Sequence, residues 1–165
     1  MHALQKTQRN NYAGIQSVIQ VIIMDTDNFK DVNDRFGHLG GDQALREIGR
    51  RIKSELRDSD TVARWGGDEF TCVLEDITSI EAAERSAQKI LDSLTAPMTI
   101  NGQEVIITVS LGFSLFPLHA QESEDLIRYA DMALYRAKQT KNSIRMYEPD
   151  PGILDTSVFS ETNPK

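Results

Sequence analysis

Residues Val18 to Met24 read VIQVIIM, a nearly continuous apolar run of the kind that forms a strand buried on both faces. A short helix is expected around Phe29–Phe36, then a longer one carrying Leu45, Ile48, Ile52 and Leu56 on one side. Two alternating segments follow, Thr61–Trp65 and the series Phe70, Cys72, Leu74, with Gly66-Gly67-Asp68-Glu69 between them. They predict a β-hairpin with an acidic tip. Ala83, Ala87, Ile90, Leu91 and Leu94 mark a third helix. Val105, Ile107, Val109, Leu111, Phe113 and Leu115 alternate with Thr108, Ser110, Gly112 and Ser114, which predicts one half-buried strand. A last helix presents Leu126, Ile127, Ala130, Leu134 and Ala137, and a final strand runs near Ser143–Tyr147. No segment repeats another, and the pattern is that of an α/β sandwich.

At 165 residues, 39% of them hydrophobic, the chain suits one domain with a proper core. No apolar run approaches the ~18 residues of a membrane span, and no charged-then-apolar leader precedes the fold. The net charge of −7 argues against general nucleic-acid binding. An acidic protein that handled a polyphosphate would need local cations and a few well-placed Lys or Arg. The single cysteine, Cys72, lies on an apolar strand face, which fits a packing role and the reduced cytoplasm. Residues 149–165, with Pro149, Pro151, Gly152 and Pro164, read as a flexible tail or linker.

The candidate chemistry is acidic. Adjacent glycines at 66 and 67 let the backbone turn tightly and approach a ligand, and two carboxylates follow at once. A bare Gly-Gly-Asp is more often a solvated turn. A second acidic stretch, Asp25-Thr26-Asp27-Asn28-Phe29-Lys30-Asp31-Val32-Asn33-Asp34, directly follows the apolar run. It puts Asp25 at the carboxyl end of a central strand, where ligands bind in open α/β sheets. Asp also suits a helix N-cap or a turn, and the residues alone leave that alternative open. A strand-end Asp together with an acidic hairpin tip outlines a hard-oxygen cation site, such as magnesium prefers.

The chain resembles the GGDEF-domain diguanylate cyclases, which condense two GTP molecules into cyclic di-GMP. The resemblance rests on Gly66–Phe70, on Asp25–Asp34, and on Phe36-Gly37-His38-Leu39-Gly40-Gly41-Asp42-Gln43-Ala44-Leu45. It extends to Val109-Ser110-Leu111-Gly112-Phe113 and Ala130-Asp131-Met132-Ala133-Leu134-Tyr135-Arg136-Ala137-Lys138, in family order across residues 15–148. It implies a mainly antiparallel central sheet with a ferredoxin-like core, flanked by helices. The Asp25 and Asp68 carboxylates and the Thr26 carbonyl would hold Mg2+, with Mn2+ as an alternative. Lys30 would face the phosphates as a point charge, and Asp68 or Glu69 would help deprotonate a 3′-hydroxyl, the choice being open. Asn33 and Asp42 would read guanine, and the motif adds His38, Gly66, Gly67, Lys138 and, less directly, Lys141 to the substrate contacts. Asp42 has a plainer reading as the N-cap of the following helix. Arg57-Asp58-Ser59-Asp60 stands at the family spacing of an inhibitory site for the product, formed by Arg57 and Asp60.

Each domain would hold one GTP, so catalysis implies a homodimer. Two departures from the family pattern stand out. Met1–Ile15 reads MHALQKTQRNNYAGI, so residues 1–14 are an atypical N-terminal segment in which most of an expected helix is missing. The family ending Ala-Lys-x-x-Gly-Arg-Asn appears as Ala137-Lys138-Gln139-Thr140-Lys141-Asn142, where lysine replaces a bidentate arginine. The leading expectation is an active cyclase with product inhibition, belonging to a longer sensor protein in the cytoplasm. The alternative is a non-catalytic module that senses GTP or cyclic di-GMP and regulates a partner domain.

Overall fold

The apolar run becomes β1 (Val18–Thr26), the middle strand of a five-stranded sheet, in a computed structural model that describes residues 18–149. The atypical N-terminal segment and the tail beyond Pro149 lie outside the described residues. After β1 come α1 (Phe29–Glu55), β2 (Thr61–Gly66), β3 (Glu69–Ile77), α2 (Ile80–Thr95), β4 (Met98–Ile100), β5 (Gln103–Val105), β6 (Val109–Phe116), α3 (Ser123–Lys138) and β7 (Ile144–Met146). The sheet order is β2-β3-β1-β6-β7, antiparallel throughout except for the β6–β7 pair. The chain order β1-α1-β2-β3-α2-β6 with those neighbours is a ferredoxin-like core.

Both faces of β1 are covered, as its composition requires. Ile22 and Met24 pack with Ile48 and Ile52 of α1 and Ala87 and Leu94 of α2. Val21 and Ile23 pack on the opposite side with Leu126, Ala130 and Leu134 of α3. Ser79 begins α2 by accepting the Ala82 N–H at 3.1 Å. The two helices expected before the hairpin are both parts of α1, separated by a kink at Gly37, whose φ of 71° glycine tolerates best.

The expected strand through Val105–Leu115 is not one strand. β5 ends at Val105 and pairs only with β4, and the main-sheet strand starts afresh at Val109. Nor is β6 half-buried: Val109 to Leu115 are all buried. Its Ser and Gly positions are small because α3 lies against them. A Cβ at Gly112 would stand 2.0 Å from the Leu134 backbone nitrogen and 2.4 Å from the Ala130 carbonyl oxygen. The Ser114 hydroxyl donates to the Leu126 carbonyl at 2.7 Å. Cys72 is fully buried in the core, and burial pushes its thiol up to about 12, which makes it an inert packing residue.

Candidate active site

The register places Asp25 beside Glu69 on one side and Ser110 on the other, at the edge where β1, β3 and β6 all end or begin. The hairpin tip reaches the same edge. Gly66 and Gly67 have φ of 159° and 53°, and the turn brings Asp68 back toward β1. The Thr26 hydroxyl donates to the Asp68 carboxylate across 42 residues of chain. From the last turn of α3, the Lys138 ammonium contacts the Asp25 carboxylate, donates to the Thr26 carbonyl at 2.7 Å and lies 3.4 Å from Asp27. Asp25 and the Thr26 carbonyl thus already share the Lys138 ammonium, with Asp68 beside them on the Thr26 hydroxyl. They are hard oxygen donors, few enough to leave room for water and phosphate, which fits a magnesium-type ion. Among the described residues no group of three or more His, Cys, Asp or Glu is placed to hold a metal ion.

Electrostatics follow from this crowding. Burial raises the Asp25 carboxyl above its usual range, with the Asp68 and Asp27 charges adding and Lys138 opposing. Burial likewise raises Glu69, helped by Asp25, Asp131 and Asp68. A carboxyl shifted this way is a better proton acceptor than an exposed one. Asp27 goes the other way. Burial pushes it up, but hydrogen bonds from the Asn142 N–H, Ser110 and Thr108, with the Lys138 charge, outweigh that and lower it. Asp27 was passed over in the sequence reading. Its place at alternate position from Asp25 on a strand end is the signal that could have found it.

Of the two residues expected to read guanine, Asn33 lies against the glycine that precedes the other, Asp42. A Cβ at Gly41 would sit 2.0 Å from the Asn33 side-chain oxygen, so Asn33 packs against the residue before Asp42. Asp42 lies inside α1 and exposed, free of the capping role its sequence position also allowed. Lys30 and His38 are exposed on the same helix. Lys141 donates to the Asn28 side chain at 3.0 Å, beside the start of α1. Lys138, expected on phosphates, has its ammonium against Asp25 and the Thr26 carbonyl.

Arg57 and Asp60 are not part of this edge. They line a separate pocket of about 280 Å3 with Glu55, Ser86, Lys89 and Ile90. Both Asp60 oxygens accept backbone N–H groups, from Arg57 at 2.9 Å and Glu75 at 3.2 Å, so this carboxylate also builds its own loop. It keeps lone pairs for a further donor.

The ferredoxin-like sheet flanked by helices is of the nucleotidyl-cyclase-like fold class, and it brings two acids and a lysine to one edge. A family model described as "Diguanylate cyclase, GGDEF domain" matches residues 2–143, and the chain belongs to the GGDEF-domain family. It is 43% identical over 139 residues to diguanylate cyclase TpbB of Pseudomonas aeruginosa, aligning 82% of this chain with 32% of that protein. It is 42% identical over 138 residues to cyclic di-GMP phosphodiesterase PdeR of Escherichia coli, aligning 84% of this chain with 20% of that protein. The solved GGDEF domain of TpbB superposes with a TM-score of 0.79 at 36% identity, covering 90% of this chain and 96% of that one. The chain therefore spans about a third or less of the length of these curated relatives. No helix among the described residues is long and apolar enough to cross a membrane.

Proposed function

We propose that this domain is a diguanylate cyclase that condenses two GTP into cyclic di-GMP and two pyrophosphates. The observation that carries the proposal is the convergence at one sheet edge of Asp25 and the Thr26 carbonyl, both on the Lys138 ammonium, with Asp68, which accepts the Thr26 hydroxyl. In each step a GTP 3′-oxygen forms a bond to the α-phosphorus of a second GTP. The bond from that phosphorus to the pyrophosphate leaving group breaks, and the hydroxyl proton passes to a base. Asp25, the Thr26 carbonyl and Asp68 would hold Mg2+ or Mn2+, which when bound offsets charge on the transferring phosphoryl group.

Glu69, raised by burial, suits the proton-accepting role, with Asp68 beside it. Lys30, exposed at the start of α1, supplies a point charge to the phosphates. Lys138 and Lys141 join it once phosphate competes for their ammonium groups. Asp42 accepts from guanine N1–H and the 2-amino group while Asn33 offers a donor and an acceptor, with His38, Gly66 and Gly67 completing the pocket. Adenine lacks that donor pair and would leave Asp42 unpaired, so ATP should be a very poor substrate. Each domain binds one GTP, so two copies must face each other as a homodimer. Arg57 and Asp60 bind cyclic di-GMP in their own pocket and give product inhibition, with Arg57 forking to guanine O6 and N7.

A second reading has support in one observation: PdeR, matched at 42% identity, is named for phosphodiesterase activity. A domain of this family can thus sit in a protein whose named activity is not synthesis, and this one would then bind GTP or cyclic di-GMP and regulate a partner domain. Incubating the purified domain with GTP and Mg2+ and resolving the products by anion-exchange chromatography separates the two. Cyclic di-GMP and pyrophosphate support the cyclase; GTP bound and recovered unchanged supports the sensor.

A further inference from the structure

We infer that Asp27 is a positioning residue that holds Lys138 and the turn at Lys141–Asn142 over the end of β1, and that it is not a second metal ligand. The inference rests on the cyclase reading only in taking those lysines as phosphate contacts.

The Asp27 side chain is 1% exposed. One oxygen accepts the Ser110 hydroxyl at 2.8 Å and lies 3.4 Å from the Lys138 ammonium; the other accepts the Asn142 N–H at 2.9 Å. Its own N–H donates to the Thr108 carbonyl at 2.7 Å. One carboxylate therefore joins β1, β6 and the connection from α3 to β7. That connection needs an anchor, because Lys141 and Asn142 both have left-handed φ, of 54° and 40°. Asn142 receives it through its N–H, and Lys141 is thereby set beside Asn28. Burial closes Asp27 to the approach of a hydrated divalent ion, whereas the Asp25 side chain, two positions earlier, is 22% exposed.

The test compares Asp27→Asn, Asp25→Asn and wild type. Mn2+ binding to nucleotide-free protein, read by electron paramagnetic resonance, should be little changed in Asp27→Asn and should fall at least about tenfold in Asp25→Asn. Exchange of the Asn142 amide should speed up in Asp27→Asn. Binding of a GTP analogue with a methylene between its α and β phosphorus atoms should weaken about fivefold or more. Combining Asp27→Asn with Lys138→Ala should then cost less than the sum of the single losses. Mn2+ affinity that falls as far in Asp27→Asn as in Asp25→Asn would overturn the inference, as would unchanged Asn142 exchange or strictly additive losses.

Should Asp27→Asn not fold, Ser110→Ala cuts the same carboxylate more gently and is read by the same amide, with unchanged exchange again overturning the inference. Were wild type to bind no analogue, the cyclase reading would fall. The Asn142 exchange and the Mn2+ comparison would still decide the role of Asp27.

Discussion

Arg64 Nε and Nη2 both donate to the carbonyl oxygen of Gly67, at 2.8 and 2.6 Å. The guanidinium thus closes the hairpin tip on the residue immediately before Asp68, in a turn whose two glycines would otherwise leave it loose. Arg64→Ala should lower turnover of GTP about tenfold or more, because small misplacements of a ligand or base are costly. The side chain is exposed, so thermal stability should change by less than about 1 kcal/mol. Turnover measured beside a melting curve checks this; full activity in Arg64→Ala would show that the tip holds its shape without the clamp.

The pocket of Arg57 and Asp60 offers an unequal pair of probes. Asp60 supports the backbone at Arg57 and Glu75, so Asp60→Ala should lose stability along with any regulation. Arg57 is exposed, and Arg57→Ala should relieve inhibition by added cyclic di-GMP while preserving turnover at low product. Dose–response curves at one GTP concentration decide the matter. Superimposable curves for wild type and variant would place any inhibition at the active site itself.

Gly112→Ala should destabilise the domain by about 1–3 kcal/mol or more, since the new methyl would meet backbone atoms of α3 that cannot rotate away. Because α3 carries Lys138, the variant should also lose GTP turnover. Urea unfolding of variant and wild type gives the difference directly; equal midpoints would mean that α3 can shift outward freely.

Gly112 also shows where the sequence stops being readable. The apolar run of β1, the hairpin around Gly66-Gly67 and the stripes of α2 and α3 were legible, because burial on one or both faces imposes a period on side chains; Ile127, expected in the α3 stripe, is instead exposed. That Asp25, Thr26 and Asp68 would share one edge of the sheet was legible through the family motifs. The face of β6 was not, because a position kept small for a helix looks the same in sequence as one facing water. The split between β5 and β6 was hidden too, since Val105, Ile107 and Val109 keep one alternation across the break. Asp27 was missed for a related reason: an acid that serves as an internal anchor is indistinguishable, letter by letter, from one that serves a metal.

His119 reports on the other end of the sheet. Its Nδ1 accepts the Leu115 N–H at 2.9 Å, its ring meets Tyr147 edge-on at 5.4 Å, and burial pushes its pKa down to about 4. Between an unfolded value of about 6.5 and the folded one, the unfolded chain binds a proton that the folded chain does not. Stability should therefore fall as pH drops through that window, by up to about 1 kcal/mol per unit from this residue. Urea unfolding from pH 7 to pH 4 should show a shallower decline for His119→Asn, whose side-chain oxygen can still accept from Leu115. Parallel declines would mean that His119 protonates as easily folded as unfolded.

The central claim is that Asp68 at the hairpin tip completes a cation site with Asp25 and the Thr26 carbonyl, and that this site makes cyclic di-GMP. The direct measurement is the rate of cyclic di-GMP formation from GTP at equal Mg2+ for wild type and Asp68→Ala, with unfolding midpoints taken on the same samples. Asp68 is half-buried at a hairpin tip outside the apolar core, so the variant should stay folded. Formation of cyclic di-GMP by wild type and its loss in folded Asp68→Ala is the predicted result, whereas a variant that retained most of the wild-type rate would contradict the account.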